Sequence, residues 1–126
     1  MLETRQATAA DVREWYEGDP PATLRAWVAV LDGKVVGIAG IAYGGLSKSR
    51  YVPEAFSEFK PELQPYLRSP QIQTAIRRVV KMIRATRPAP IAYADLKHPG
   101  AERLLTRLGA VRIASSEQGE VYQWVF

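Results

Sequence analysis

Residues 56–86 read FSEFKPELQPYLRSPQIQTAIRRVVKMIRAT, and the rest of the chain is arranged around them. The stretch predicts a short strand, a stiff loop and a long basic helix. Ile72, Ile76, Val79, Val80 and Ile83 recur at helical spacing and form one apolar face. Arg77, Arg78, Lys81 and Arg84 take the other faces. Ser69 suits the N-cap, and Pro70 suits the first helical position, where a missing N–H costs nothing. Pro88 and Pro90 stop the helix. A helix that opens behind a strand turns free N–H groups and a positive dipole end to whatever lies beyond that strand. Its start is therefore a candidate anion site as well as part of a core helix.

The totals bound the answer. A chain of 126 residues predicts one domain, residues 1–126, and 47% hydrophobic residues are enough to build a core. The absence of cysteine excludes a disulfide framework and a cysteine metal site. A single histidine excludes a histidine-rich site, so no metal is expected. The opening residues lack a basic-then-apolar leader, and no apolar run nears a membrane span. These features predict a soluble, cytoplasmic protein with no membrane contact. A net charge of +4 is a mild bias toward anionic partners.

In chain order, residues 3–7 predict a strand. Thr8 and Asp11 have capping-box spacing for a helix over 9–16 that buries Val12, Trp15 and Tyr16. Gly18, Asp19, Pro20 and Pro21 end it. Residues 25–31 and 34–43 predict a hairpin about Asp32-Gly33. Strict alternation over 34–43 puts Val36, Ile38 and Gly40 on one face and Val35, Gly37, Ala39, Ile41 and Tyr43 on the other. Both faces are apolar or small, so this strand is expected inside the sheet. Residues 44–53 predict a loop and 55–60 a strand. Residues 91–95 predict a strand, and 99–108 a helix with Leu104, Leu105 and Leu108 inward. Gly109 would cap that helix, and 110–115 with 120–126 would make a closing hairpin. The order β-α-β-β-β-α-β-α-β-β predicts an α/β (α+β) domain. Its mixed sheet would be antiparallel in front, with a parallel pair where the long helix crosses over.

This order resembles the GNAT superfamily of acyl-CoA-dependent N-acetyltransferases. The local likeness is best at residues 24–43 and in HPGAERLLTRLGAV, residues 98–111. There Ala101, Arg103, Leu108 and Gly109 match a pattern frequent in that family. The resemblance implies acetyl transfer from acetyl-CoA to a primary amine. It also implies a cofactor lying along the strand ending at Phe59 and Lys60, with its pyrophosphate near Arg68, Ser69, Gln71 and Ile72. Two positions depart from the family. Gln64 to Ser69 occupy the register of the pyrophosphate loop, with Leu67 where glycine is usual. Leu105 stands where a general-acid tyrosine is frequent.

Glu58, in the strand before the helix, is the candidate base for deprotonating an amine, with Glu54 a substitute. The plainer role for Glu58 is an exposed carboxylate paired with Lys60. Tyr93 and Tyr122 are candidate acids, with packed aromatics as the plainer role. His98 has no evident carboxylate partner and suits a loop. Arg77, Lys81 and Arg84 could follow a nucleic-acid backbone. No DNA- or RNA-binding signature accompanies them, so a solvated face is expected.

Two function classes follow. One is an N-acetyltransferase acting on an amine, with a short first helical region that leaves room for a protein or peptide acceptor. The other is a catalytically inactive GNAT-like domain, phage or mobile-element encoded, serving in assembly or partner binding. A homodimer is left open in both.

Overall fold

The hairpin about Asp32-Gly33 sets the front of the sheet. Both residues take positive φ, 50° and 85°, the twist that matches two right-twisted strands. The computed structural model describes residues 1–20, 23–43, 52–94, 100–117 and 119–124. Its elements run β1 Leu2–Gln6, α1 Ala9–Tyr16, β2 Thr23–Leu31, β3 Lys34–Tyr43, β4 Glu54–Phe59, α2 Pro70–Ala85, β5 Ile91–Ala94, α3 Ala101–Arg107, β6 Ala110–Ser116 and β7 Gly119–Trp124. A 3-10 helix, Pro61–Tyr66, joins β4 to α2. Lys48, Arg50, Asp95 and His98 lie outside the described residues.

The strands form one sheet in the order β1-β2-β3-β4-β5-β7-β6. All neighbours are antiparallel except β4 and β5. The predicted mixed α/β domain and its element order are therefore observed, with β3 inside the sheet. The 3-10 helix is an addition: Pro61 and Pro65 stiffen the loop by letting it coil.

α1 begins with a full capping box. Thr8 Oγ1 accepts from the Asp11 N–H at 3.1 Å, and Asp11 Oδ2 accepts from the Thr8 N–H at 3.0 Å. The buried residue of α1 is Asp11, while Val12, Trp15 and Tyr16 are half-buried, unlike the expectation. Arg5 of β1 explains this, because its Nη2 bonds Asp11 Oδ1 at 2.8 Å and the exposed Arg5 side chain lies over the carboxylate. α2 begins as expected, with Ser69 Oγ accepting from the Ile72 N–H at 3.3 Å.

The two sheet faces hold separate cores. On the α1 face, Ala26, Val28, Val30, Val35 and Ile38 pack with Trp15, Tyr16 and Phe56. On the α2 face, Leu2, Ala29, Val36, Leu63 and Ile72 pack near the start of the helix. Ile41, Ala55, Val79, Ile83, Ala92, Tyr122 and Trp124 pack farther along it. Strict alternation in β3 therefore fails. Ala29 pairs with Gly37 and Val30 with Val35, so Val36 is an extra residue in a bulge. The bulge moves Val36 to the α2 face and groups Val35 with Ile38. In α3, Leu105 and Leu108 face the core, but Leu104 is 42% exposed. One side of a seven-residue helix lies on the sheet, and Leu104 is off it.

Candidate active site

β4 and β5 are parallel and share one register position, Glu54 with Ile91. The Ile91 N–H also donates to the Pro53 carbonyl at 3.0 Å. Beyond this bridge, from Ala55 to Phe59, β4 has no strand partner on the β5 side among the described residues. The strands thus meet at one end and part at the other. The opening faces the chain that leads through the 3-10 helix into α2.

Along β4 the period of two puts Glu54, Phe56 and Glu58 on the α1 face, as their partners Ala42, Gly40 and Ile38 in β3 indicate. The indole Nε1 of Trp15 donates to Glu58 Oε2 at 3.0 Å. Lys60 Nζ sits 5.5 Å from the centre of the Trp15 ring, in cation–π range. Tyr16 stands beside them. Burial first, and the Glu58 charge second, push its phenol above the ordinary value, and its hydroxyl is buried without a hydrogen-bond partner. Glu54 is at the closed end of the opening. Its Oε2 is buried without a partner, and burial pushes its carboxyl up. A carboxylate there lacks the donors that would stabilise its charge.

Near the start of α2, Arg68 is exposed and Ser69 half-buried. Three backbone N–H groups follow Pro70 in the first turn, those of Gln71, Ile72 and Gln73. The Ile72 N–H is taken by Ser69 Oγ and the Gln73 N–H by the Ser69 carbonyl, at 3.3 and 3.0 Å. Only the Gln71 N–H is left of the three. Leu67 has φ −60°, so its side chain is accommodated without the positive φ that glycine would permit. The N–H groups of Leu67 and Ser69 turn inward to the carbonyls of Gln64 and Tyr66. The segment is a coiled turn rather than an open cradle.

Phe59 is 49% exposed beside the unpaired part of β4. The Lys60 N–H donates to the Val36 carbonyl at 2.8 Å, so that donor is already used. Tyr122 is buried against α2 as a packed aromatic, and Tyr93 is half-buried on β5. Leu105 packs toward the same core. Among the described residues, no group of three or more His, Cys, Asp or Glu side chains could hold a metal ion. No described helix is long and apolar enough to cross a membrane.

Sequence reasoning passed over two features, the partnerless hydroxyl of Tyr16 and the burial of Glu54. Neither has a local signal, since both depend on how α1 and β5 cover β4.

No family model matches the sequence, and no curated protein does. Solved structures do match. An acetyltransferase of the GNAT family from Streptococcus pneumoniae superposes with a TM-score of 0.62 at 14% identity, over 98% of this chain and 96% of that one. The fold is the GNAT fold. A GNAT-family protein of Desulfovibrio desulfuricans gives 0.57 at 14% identity, covering 98% of each chain. Ard1 from Thermoplasma volcanium gives 0.56 at 14%, over 97% and 94%. The GNAT likeness spans nearly the whole chain.

Proposed function

We propose that this protein transfers an acetyl group from acetyl-CoA to a primary amine. The observation that carries this reading is the single bridge between β4 and β5. Among the described residues it leaves the backbone edge of residues 55–59 without a strand partner on that side, beside the start of α2. An extended acyl arm can add to such an edge as a strand does. Acetyl-CoA supplies an acyl carbon activated as a thioester. The α2 dipole, the Arg68 guanidinium and the Gln71 N–H would hold its pyrophosphate. With so few donors, binding should be modest.

The acceptor would approach on the α1 face. There Glu58 and the Trp15 ring offer an ammonium group a carboxylate and an aromatic surface. Glu58 would take the proton the attacking nitrogen must lose, directly or through one water. Glu54, buried at the closed end of the opening, is the substitute base for an amine that enters deeper. Nitrogen–carbon bond formation then expels the thiolate, which is protonated from solvent or from Tyr16.

The test has two parts. Calorimetry with acetyl-CoA should show binding that Arg68→Ala weakens by roughly one to two powers of ten, the range for one charged contact. Thiol release from acetyl-CoA should then depend on added primary amine. Absence of heat and of any melting shift at millimolar acetyl-CoA would end the cofactor reading. A second reading is a GNAT-fold domain without catalysis, of phage or mobile-element type, used for assembly or partner binding. The coiled turn before α2, with its inward N–H groups, favours it. Binding of acetyl-CoA without amine-dependent thiol release would point to that second reading.

A further inference from the structure

At the end of α2 far from Ser69, the helix and the first strands leave a groove of about 460 Å3. Gln6 of β1, Arg25 and Trp27 of β2, and Arg78, Lys81 and Met82 of α2 line it. The sequence brings them together by two periods. Arg25 and Trp27 are two residues apart and share the α2 face of β2. Arg78, Lys81 and Met82 are three and four apart and share one side of the helix. Three of these side chains are cations and none is acidic. No acidic residue pairs with Arg25, Arg78 or Lys81 among the described residues. The Arg78 guanidinium carbon lies 4.8 Å from the centre of the Trp27 ring.

Cations gathered from two elements without an acid repel one another, and an anion relieves that repulsion. Two guanidinium forks favour the planar or tetrahedral oxygens of phosphate over a single point charge. Trp27, with Arg78 over its ring, and Met82 are packed against the core from behind and give the groove an apolar floor. The volume falls in the range of roughly 300–1,000 Å3 typical of small-molecule sites. We propose that this groove binds a nucleotide, with phosphate on Arg25, Arg78 and Lys81 and the base against Trp27 and Met82. The nucleotide is free or part of a single strand, because the groove is open to solvent. The site is separate from that proposed for acetyl-CoA: from Ser69 to Lys81 the helix advances about 18 Å at 1.5 Å per residue.

The test titrates the full chain with ATP and with a short single-stranded oligonucleotide, following tryptophan fluorescence and calorimetry. Binding should fall with salt. Arg78→Gln and Lys81→Gln should each weaken it about tenfold or more, with melting curves showing that both variants fold. Arg68→Ala should leave it unchanged. Saturation by ATP supports a free nucleotide; binding of the oligonucleotide alone supports a single strand. The proposal is overturned if neither ligand binds at millimolar concentration, or if Arg68→Ala abolishes binding that the α2 variants retain. It is also overturned if inorganic pyrophosphate binds as tightly as ATP, because the base would then contribute nothing. None of these outcomes depends on acetyl transfer.

Discussion

The indole of Trp15 is hydrogen-bonded to the carboxylate of Glu58, at 3.0 Å and across 43 residues of chain. This bond fastens α1 to β4 at the mouth of the opening between β4 and β5. In the proposed function it would fix where an acceptor approaches, and it would make α1 part of the site rather than a cover for the sheet.

Replacing Trp15 by Phe keeps most of the ring and removes the donor. The variant should lose about 0.5–1.5 kcal/mol of stability in urea unfolding. Its KM for amine should rise more than its KM for acetyl-CoA. An unchanged unfolding midpoint would show that the bond does not hold α1 in solution.

Glu58→Gln should lower turnover and weaken its rise with pH while leaving coenzyme A binding intact. Glu54→Gln should do the same and should shift the pH at which the rate rises. If both variants keep the wild-type pH–rate profile, neither carboxylate is the base.

Glu54 also makes a stability prediction. Its folded pKa is raised above the ordinary 4.5 by burial. The contribution is present below that value and is lost as pH climbs through the raised folded pKa. Glu54→Gln removes this loss, so the variant should gain stability relative to the parent as pH rises from about 4.5. Parallel stability curves for the two proteins would contradict the burial.

Asp11 acts with the opposite sign. The Arg5 hydrogen bond, above all, and the Thr8 cap hold its carboxyl down at about 2 against an ordinary 3.8. Its contribution is complete above 3.8 and is lost as pH falls toward 2. Asp11→Asn should therefore flatten the fall in urea midpoint across that acid window. A fall as steep as in the parent would show that Arg5 and Asp11 are not paired in solution.

Gly40 and Gly37 should differ in tolerance. A Cβ on Gly40 would lie 2.6 Å from the Ala26 Cα and run into the Arg25 carbonyl, both backbone. A Cβ on Gly37 would meet the Leu63 side chain at 2.7 Å, and that chain can turn. Gly37→Ala should cost about 1–3 kcal/mol, and Gly40→Ala more. Thermal unfolding of the two variants measures the order, and equal losses would refute it.

The sequence by itself determined whatever depends on neighbours along the chain. Ser69-Pro70 starts α2, the prolines end it, Asp32-Gly33 turns the hairpin and Thr8 with Asp11 caps α1, each through bonds spanning a few residues. The order of elements then limited the sheet to a mixed one with a single parallel pair. Only the tertiary structure decided what depends on pairing and cover. The bulge at Val36 arises from β2 and β3 in register, and no single strand encodes it. Asp11 is buried because Arg5 arrives from β1, and Leu104 is exposed because α3 lays another side on the sheet. Glu54 is buried where β4 is flanked by both β3 and β5, and Arg25 meets Arg78 and Lys81 only when α2 folds back over β2. Local bonds repeat wherever their few residues occur. Desolvation and the gathering of charge are properties of surfaces that meet only after the chain has folded.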